Sequence, residues 1–508
     1  MNRYAEGKQM TAGQPAGAPS AKGRRWTRID WRHARAAVYR LQVRIAKAVR
    51  EGRWGKVKAL QRLLTHSYAA KQLAVRRVVT NDGRHTPGID GVRWRTPVQR
   101  QQAVILLRRR GYRPRPLRRV YIPKSNGKQR PLGIPTMHDR AMQALHSLAL
   151  EPVAEMQADP NSYGFRSRRS LHDAIGQCFV VLAKKHSPRW ILDADIKACF
   201  DRISHDWLLA HVPMDKRILQ AWLTAGYIEN DAFYATEEGT PQGGIISPLL
   251  ANLALDGLEA ELVATVRRRG AKVNLVRYAD DFIVTGCDER LLREEVLPLV
   301  SAFLEPRGLT LSQEKTHIRD IDQGFDFLGF NLRKYGGKLL IKLAPQKVCA
   351  FLGKIRECAQ SLLGAPAEAL IRKLNSILRG FAMHGRYVVA KKTFAYIDRA
   401  VRRCVRQWLK RQHPNKTDAW LKRRYFLPLG PRRVLSAPTA RGGRLALFRT
   451  NDLPIERHVK IQSQATPFDP RYEDYFEQRR RQQWKRRQVD RQWLLGRGIG
   501  LGPVGALS

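Results

Sequence analysis

The stretch N-L-V-R-Y-A-D-D-F-I-V-T (Asn274–Thr285) places two adjacent aspartates between two short apolar runs. Runs of this length and composition predict β-strands, and the acids between them predict a tight hairpin turn. Two carboxylates on one turn repel each other, which costs stability unless a cation neutralises them. The pattern therefore fits either a cation site at Asp280 and Asp281 or an ordinary polar turn, and this stretch alone does not decide between them.

A second acidic strand end lies upstream, in W-I-L-D-A-D-I-K-A-C-F-D (Trp190–Asp201), where Asp195 closely follows an apolar run. A strand that ends in Asp195 beside the hairpin would bring three carboxylates together. Hard oxygen ligands without His or Cys suit Mg²⁺, and two such ions can clamp the attacking and leaving oxygens of a phosphoryl transfer. Because the chain has only 44 acidic residues, the presence of two acidic clusters favours a cation site.

The composition indicates a folded protein with a polyanionic partner. The 508 residues include 93 Lys and Arg, which gives a net charge of +49, while 43% of residues are hydrophobic. Such a charge points first to nucleic acid and second to an anionic membrane. The longest apolar stretch, Gly243–Val266, contains acids and a proline and predicts a core helix, so no membrane partner is expected. Six scattered cysteines argue against zinc, iron–sulfur and disulfide sites, and we expect a cytoplasmic location.

Two loops carry further candidate ligand-binding residues. In G-T-P-Q-G-G-I-I-S-P (Gly239–Pro248), glycines allow close backbone approach to a ligand and Gln242 can hydrogen-bond it, although a plain helix entry fits equally well. In I-P-K-S-N-G-K-Q-R-P-L-G-I-P (Ile122–Pro135), Lys124 and Arg130 flank an Asn-Gly turn and could clamp a triphosphate. In a chain this basic, a solvated hairpin is the simpler interpretation of the second loop.

Elsewhere, periodicity predicts short strands mixed with helices, which favours an α+β fold over a doubly wound parallel sheet. The main expectations are two basic helices broken near Gly52 (Trp31–Val79), a hairpin (Tyr112–Pro135), a helix (Met137–Met156), a strand (Phe325–Phe330), a basic helical region (Leu343–Leu427), a short strand (Arg444–Arg449) and a last basic helix (Tyr472–Leu495).

These elements occur in the order and approximate spacing of reverse transcriptases, and in detail the sequence resembles the group II intron-encoded reverse transcriptase/maturase family. The resemblance covers about residues 30–480. Further matching segments are T-P-G-I-D-G (Thr86–Gly91), S-Y-G-F-R (Ser162–Arg166), P-Q-G-G-I-I-S-P-L-L-A-N (Pro241–Asn252), S-Q-E-K-T (Ser312–Thr316), F-L-G-F (Phe327–Phe330), L-R-G-F-A-M-H-G-R-Y (Leu378–Tyr387), R-Q-H-P-N-K (Arg411–Lys416), R-H-V-K-I (Arg457–Ile461) and P-F-D-P-R-Y-E-D-Y-F (Pro467–Phe476).

The resemblance implies a catalytic centre. It assigns Asp195, Asp280 and Asp281 as the catalytic acids, with the Ile196 carbonyl as a further metal ligand. The implied cofactor is a pair of Mg²⁺ ions, for which Mn²⁺ can substitute.

The resemblance also implies a nucleotide site. Phe200 takes the place of an aromatic gate that leaves no room for a ribose 2′-OH, so deoxynucleotides are selected. Lys124 and Arg130 match a triphosphate-binding pair, which reverses the preference for a solvated hairpin. Gln242 matches a nucleotide contact, and Lys315 lies where the family has a basic residue near the leaving phosphates.

The implied architecture is a right-hand polymerase with a helical thumb. We expect a flexible tail (1–30), fingers and palm with an N-terminal extension (31–342), a helical thumb or maturase domain (343–427), and a small basic C-terminal DNA-binding region with a frayed tail (428–508). Many relatives carry a C-terminal endonuclease domain rich in Cys and His, and we expect this form to lack it because no cysteine follows Cys404.

The function implied by the resemblance is RNA-directed DNA synthesis for a mobile group II intron, with binding of the intron RNA to assist splicing and retrohoming. The expected partners are the intron RNA, an RNA template–DNA primer duplex, target DNA and deoxynucleoside triphosphates. One alternative is a splicing maturase with secondary polymerase activity. Another is a domesticated reverse transcriptase in repair or phage defence. The three acids are intact, which favours retained polymerase activity.

Overall fold

The computed structural model describes residues 25–123, 127, 129–230, 232–240, 243–266, 271–429, 432–439 and 443–495. The chain forms two compact units, each assembled from segments that are distant in sequence. The first unit contains the described residues up to Met156 together with Phe200–Ala254, and the second contains Gln157–Cys199 and the described residues from Leu255 onward. Both units mix helices with strands, as the sequence predicts.

The first unit combines helices with a four-stranded sheet of order β2-β1-β4-β5, in which β1 and β4 are parallel and the other pairs are antiparallel. Its elements are α1 (Trp31–Arg50), α2 (Trp54–His66), α3 (Tyr68–Thr80), α4 (Pro97–Leu106), β1 (Leu117–Pro123), β2 (Gln129–Ile134), α5 (Met137–Gln157), α7 (Cys199–Arg202), α8 (His205–His211), α9 (Lys216–Leu223), β4 (Tyr227–Glu229), β5 (Ala232–Tyr234) and α10 (Ser247–Leu255).

The N-terminal helical region differs from its prediction in one respect. Asp30 begins α1 by accepting hydrogen bonds from the amides of Arg32 and His33, and Gly52, at φ 66°, follows its end, as expected. A second break, which the sequence analysis missed, occurs at Ser67, whose extended backbone (φ −60°, ψ 129°) separates α2 from α3. The prediction of two helices was therefore wrong, and three are present over this stretch.

The second unit contains three sheets, of order β6-β7-β3-β8, β11-β10-β9 and β12-β13-β14, and the helices packed with them. Its elements are α6 (Leu171–Leu182), β3 (Trp190–Asp195), α11 (Leu258–Thr265), β6 (Asn274–Tyr278), β7 (Asp281–Gly286), α12 (Glu289–Leu291), a π-helical turn (Leu292–Val296), α13 (Leu297–Leu304), β8 (His317–Asp320), β9 (Phe325–Phe327), β10 (Phe330–Tyr335), β11 (Lys338–Leu343), α14 (Pro345–Ser361), α15 (Ala367–Gly385), α16 (Lys391–Gln412), α17 (Asp418–Tyr425), β12 (Phe426–Leu429), β13 (Arg432–Pro438), β14 (Arg444–Ala446) and α18 (Glu473–Leu495).

Two expected elements are interrupted by residues with positive φ. The predicted strand Phe325–Phe330 is instead a hairpin, because Leu328 (φ 52°) and Gly329 (φ 80°) form a two-residue turn between β9 and β10. A leucine in the left-handed region is uncommon, so turn composition does not reveal it. The core helix predicted over Gly243–Val266 is likewise divided at Gly257, at φ 102°.

One buried apolar cluster joins the sheets of the second unit to its helices. It includes Ile191, Val276 and Ile283 from the β6-β7-β3-β8 sheet and Leu374 and Phe394 from the helices that follow. The helices are amphipathic, since their buried residues recur at helical spacing while Arg and Lys occupy the opposite faces.

Within the described ranges, no helix is both long and apolar enough to cross a bilayer. All six cysteines are free thiols.

Asp173 anchors the C-terminal segments of the second unit to α6. Its carboxylate caps the helix through Ser170 and accepts hydrogen bonds from His458 Nε2 at 2.9 Å, the Ile461 amide at 2.8 Å and the Arg479 guanidinium at 3.1 Å. Burial disfavours the charge, but the His458 bond and charge, with the other donors, outweigh it and hold the pKa of Asp173 at about 2.

We expect Asp173→Asn to lower the free energy of unfolding by about 3 kcal/mol at neutral pH, because the partly buried Arg479 guanidinium and the His458 ring lose the carboxylate that they contact. The folded-state pKa lies below the unfolded value of 3.8. This contribution is therefore complete above pH 4 and lost as the pH falls towards 2. Denaturant unfolding should show the gap to the wild type narrowing below about pH 4. Asp322→Asn, at an exposed acid, is the control, and an equal loss there would contradict the assignment.

Candidate active site

The registers of β3, β6 and β7 bring the three predicted catalytic acids to one end of a sheet. Asp195 ends β3 and lies directly opposite Asp281, the first residue of β7. Tyr278 pairs with Asp281 across the β6–β7 hairpin, which leaves Ala279 (φ 60°) and Asp280 as its two-residue turn. The hairpin predicted from Y-A-D-D is therefore present, and its two aspartates adjoin the acidic end of β3.

A buried ion pair supports this turn from within the protein. Arg277 is fully buried on β6, and its guanidinium contacts the carboxylate of Asp256 and lies 3.5 Å from the carbonyl oxygen of Ala279. Neither residue of the pair was predicted from the sequence. The sequence signal that could have revealed the pair is Arg277 itself, a charged residue inside the apolar run of β6. A buried arginine requires an acidic partner.

The S-Y-G-F-R segment lies against the same turn. The Tyr163 amide donates to the Arg277 carbonyl at 2.9 Å, and the Arg277 amide donates to Asn161. A Cβ atom on Gly164 would lie 2.9 Å from the carbonyl carbon of Tyr278 and closer still to the Ala279 amide. The glycine in this segment therefore permits a close backbone approach to the acidic turn.

The carboxylates at the sheet end perturb one another. The pKa of Asp281 is raised to about 7 by partial burial, by repulsion from Asp280, and by the hydrogen bond and charge of Asp195. Lys315 Nζ lies 2.6 Å from Asp195 Oδ2, and this contact raises the pKa of the lysine. The lysine segment is fixed beside β3 because the Ser312 amide donates to the Asp195 carbonyl at 2.8 Å. The structure therefore brings Lys315 to the acids, and its predicted role near the leaving phosphates stays a prediction.

The donor set fits a divalent cation. Two carboxylates directly opposite each other, with a third in the adjoining turn, repel one another and favour a bound cation. Ile196 forms a bridge with Leu311 between the bonds Lys197 N–Thr310 O and Ser312 N–Asp195 O. Ile196 and Leu311 therefore do not hydrogen-bond each other, and the Ile196 carbonyl points away from Leu311. In this sheet that direction is the side occupied by β7.

Only oxygen ligands are therefore offered, which suits Mg²⁺. In the described part of the chain, there is no group of three or more His, Cys, Asp or Glu side chains that could hold a metal ion as it stands.

The predicted nucleotide-binding residues belong to the first unit, apart from Lys315. Lys124 and Gln242 lie outside the described residues. Arg130 is exposed on β2, directly opposite Ile122 of β1. The predicted β-hairpin that carries Arg130 is therefore present. The contact between Arg130 and a nucleotide stays a prediction.

Phe200 is half-buried on α7, and its carbonyl accepts a hydrogen bond from the Thr240 amide at 2.6 Å. Gly239, at φ 85°, approaches so closely that a Cβ atom there would lie 2.6 Å from the Asp201 backbone. The structure therefore brings together Phe200 and the beginning of the glycine-rich loop. The role of Phe200 as a sugar gate stays a prediction.

Family models match three parts of the chain. They describe an N-terminal domain of reverse transcriptase (26–107), a reverse transcriptase or RNA-dependent DNA polymerase (122–332) and a group II intron maturase-specific domain (348–426). The chain is also 35% identical over 366 residues to protein YkfC of Escherichia coli K12, covering 61% of this chain and 95% of that protein. The chain belongs to the group II intron-encoded reverse transcriptase family.

This reverse transcriptase is similar to other group II intron proteins over shorter spans. It is 32% identical over 290 residues to the group II intron-encoded protein LtrA of Lactococcus lactis, covering 44% of this chain and 47% of that relative. The match thus spans about half the length of LtrA. Among solved structures, telomerase from Candida albicans covers 60% of this chain at 14% identity, with a TM-score of 0.36. That likeness is distant and adds nothing to the assignment.

Family membership confirms several predictions. The protein is an RNA-directed DNA polymerase with a reverse transcriptase fold and a group II intron maturase domain. The family depends in general on divalent metal ions, and the maturase domain supports an RNA partner. The predicted domain boundaries and the roles of individual site residues stay predictions.

Proposed function

We propose that the protein copies group II intron RNA into DNA by a two-metal phosphoryl transfer at the acidic end of the β6-β7-β3-β8 sheet. The observation that carries this proposal is the register that places Asp195 opposite Asp281, with Asp280 in the adjoining turn. Lys315 neutralises only one of the three carboxylate charges, and the carboxylates and the Ile196 carbonyl would hold Mg²⁺, or Mn²⁺ in its place.

When bound, the two ions would supply activation of the primer 3′-OH and neutralisation of the leaving pyrophosphate. Lys315, a cation already at the acids, would donate hydrogen bonds to the departing phosphate oxygens. Lys124 and Arg130 would clamp the triphosphate of the incoming deoxynucleotide, and Gln242 would contact the same nucleotide. Together these residues orient the reacting groups, which is the main catalytic contribution in phosphoryl transfer.

The direct test is primer extension. An RNA template annealed to a DNA primer, with Mg²⁺ and deoxynucleoside triphosphates, should give full-length DNA, and chelation of Mg²⁺ should stop synthesis. Extension that continues under chelation would contradict the metal-dependent mechanism.

Phe200 provides a separate prediction about sugar selection. If its ring excludes the ribose 2′-OH, Phe200→Ala should reduce the preference for deoxynucleotides over ribonucleotides by at least about tenfold. The measurement is the ratio of kcat/KM values for the two nucleotides. Phe233→Ala removes an exposed ring on β5 of the same unit and is the control. Unchanged selectivity in Phe200→Ala would refute the gate.

A second function, assistance of intron splicing, is favoured by the maturase-specific match over 348–426. The matched segment contains α16, which buries an apolar stripe and exposes a row of cations suited to RNA phosphates. These cations are Arg402, Arg403, Arg406, Lys410 and Arg411. Splicing of the flanking intron RNA at low Mg²⁺, with and without the protein, tests this function. Absence of acceleration would leave reverse transcription as the main role.

We further propose that α18, with its many arginines, contacts target DNA during retrohoming.

The six free cysteine thiols suit a reducing compartment, which supports a cytoplasmic location.

A further inference from the structure

A basic cavity in the first unit is not used by the polymerase site described above. It has a volume of about 750 Å³ and lies among α2, α5, α9 and the segment that precedes β1. Its cations come from three different segments and are Lys58, Arg62, Arg109, Arg110 and Arg217. Among the described lining residues the one acid is Asp215, which contacts Arg109 and caps α9 through the amides of Arg217 and Ile218. The cavity therefore carries a clear excess of positive charge.

The inner wall of this cavity carries a buried imidazole. His146 on α5 is only 7% exposed, and its ring lines the cavity. Its ring packs edge-on against Trp222 at 5.4 Å. Burial lowers the pKa of His146 to about 4, so the ring is neutral at pH 7 and offers one donor and one acceptor. These two groups are available to a ligand in the cavity that His146 lines.

The rest of the wall provides a surface for a flat, partly apolar group. Tyr112 is held by hydrogen bonds from its hydroxyl to Asp139 and from Trp222 Nε1. Met214 and Ile218 contribute apolar atoms to the same cavity. The volume falls within the range of small-molecule sites, and such sites combine apolar walls with few polar groups. A solvated basic face would need neither the concave space nor the buried imidazole.

We propose that this cavity binds one nucleotide unit, with its phosphate among the cations and its base against His146, and that the occupant is an unpaired nucleotide of an RNA. The cations supply the attraction for the phosphodiester. The imidazole supplies a hydrogen bond to the edge of the base, as in single-strand recognition. This inference deepens the proposed function, on which it rests, by assigning an RNA contact to residues that have no role in the polymerase reaction.

The test measures binding of a fluorescein-labelled oligouridylate to the full-length protein. Saturating unlabelled template–primer is present so that the polymerase site is occupied. We expect Arg62→Gln/Arg217→Gln to weaken binding at least about tenfold and to reduce the salt slope of log Kd by about two. The matched control is Arg40→Gln/Arg44→Gln, which removes the same charge from the exposed face of α1. Equal loss in both double variants would overturn the proposal, because it would indicate only general charge attraction.

The base contact is tested separately. His146→Phe keeps a ring at the inner wall but removes its hydrogen bonds, and we expect roughly fivefold weaker binding. His211→Phe, at an exposed histidine on α8, is the control. Unaltered affinity in His146→Phe would overturn the base contact.

The identity of the occupant is decided by competition. Unlabelled oligouridylate should displace the probe, whereas UMP and inorganic phosphate at equal nucleotide concentration should not. Displacement by UMP would overturn the RNA assignment in favour of a free mononucleotide.

Primer extension by the same variants separates the proposed nucleotide cavity from the proposed polymerase function. The cavity variants should retain wild-type kcat on a saturating template–primer, while failure of the wild type to extend would refute the proposed function alone.

Discussion

Asp280→Asn is expected to abolish DNA synthesis on an RNA template, with a loss in kcat of at least about 10³-fold. The substitution keeps the size of the side chain but removes one of the three negative charges that would hold Mg²⁺. The measurement is primer extension at saturating Mg²⁺ and deoxynucleotide, together with calorimetric titration of Mg²⁺.

This loss should occur without unfolding. The charge of Asp280 repels Asp281 and helps to raise its pKa. Removing that charge should therefore leave the metal-free protein at least as stable as the wild type in thermal unfolding. Asp322→Asn, at an exposed acid of the same unit, is the control and should keep full activity. Wild-type extension by Asp280→Asn would refute the assignment of the catalytic centre.

Arg277→Met has the second largest expected effect, a loss of about 3–5 kcal/mol in the free energy of unfolding. The reason is that Asp256, which is 5% exposed, is left as a buried charge without the guanidinium that neutralises it. Denaturant unfolding at neutral pH measures this loss.

A double variant separates stability from the positioning of the turn. Arg277→Met/Asp256→Leu removes both charges, so most of the lost stability should return. The contact between the guanidinium and the Ala279 carbonyl stays absent, and the acidic turn is less firmly held. We expect kcat to remain about 10²-fold below the wild type, since small displacements of catalytic groups have effects of this size. Wild-type kcat in the stable double variant would show that Arg277 serves stability alone.

Much of the site could be predicted from local sequence. The strands at Trp190–Asp195 and Asn274–Tyr278 are short apolar runs. In the structure the first ends at Asp195, and the second ends two residues before Asp280. The order of the motifs along the chain is that of the group II intron-encoded reverse transcriptases, so the family could be predicted as well. Local patterns were sufficient here because Asp195 ends β3, Asp281 begins β7 and Asp280 lies in the two-residue turn before it.

The missed features depend on distant contacts or on unusual backbone. Lys315 meets Asp195 across 120 residues, and Arg277 meets Asp256 across 21, so no periodicity reveals either pair. Ser67 ends a helix through its backbone angles within a sequence that favours helix. The left-handed Leu328 divides a predicted strand because tertiary packing overrides its local preference.

The position of Asp173 has a consequence for biosynthesis. Its partners at His458, Ile461 and Arg479 emerge from the ribosome about three hundred residues later. Until then α6 carries a carboxylate without its partners, and the second unit cannot complete its fold. We therefore expect this unit to close only late in translation, with a nascent chain that is exposed to chaperones and proteases until its final helix is made.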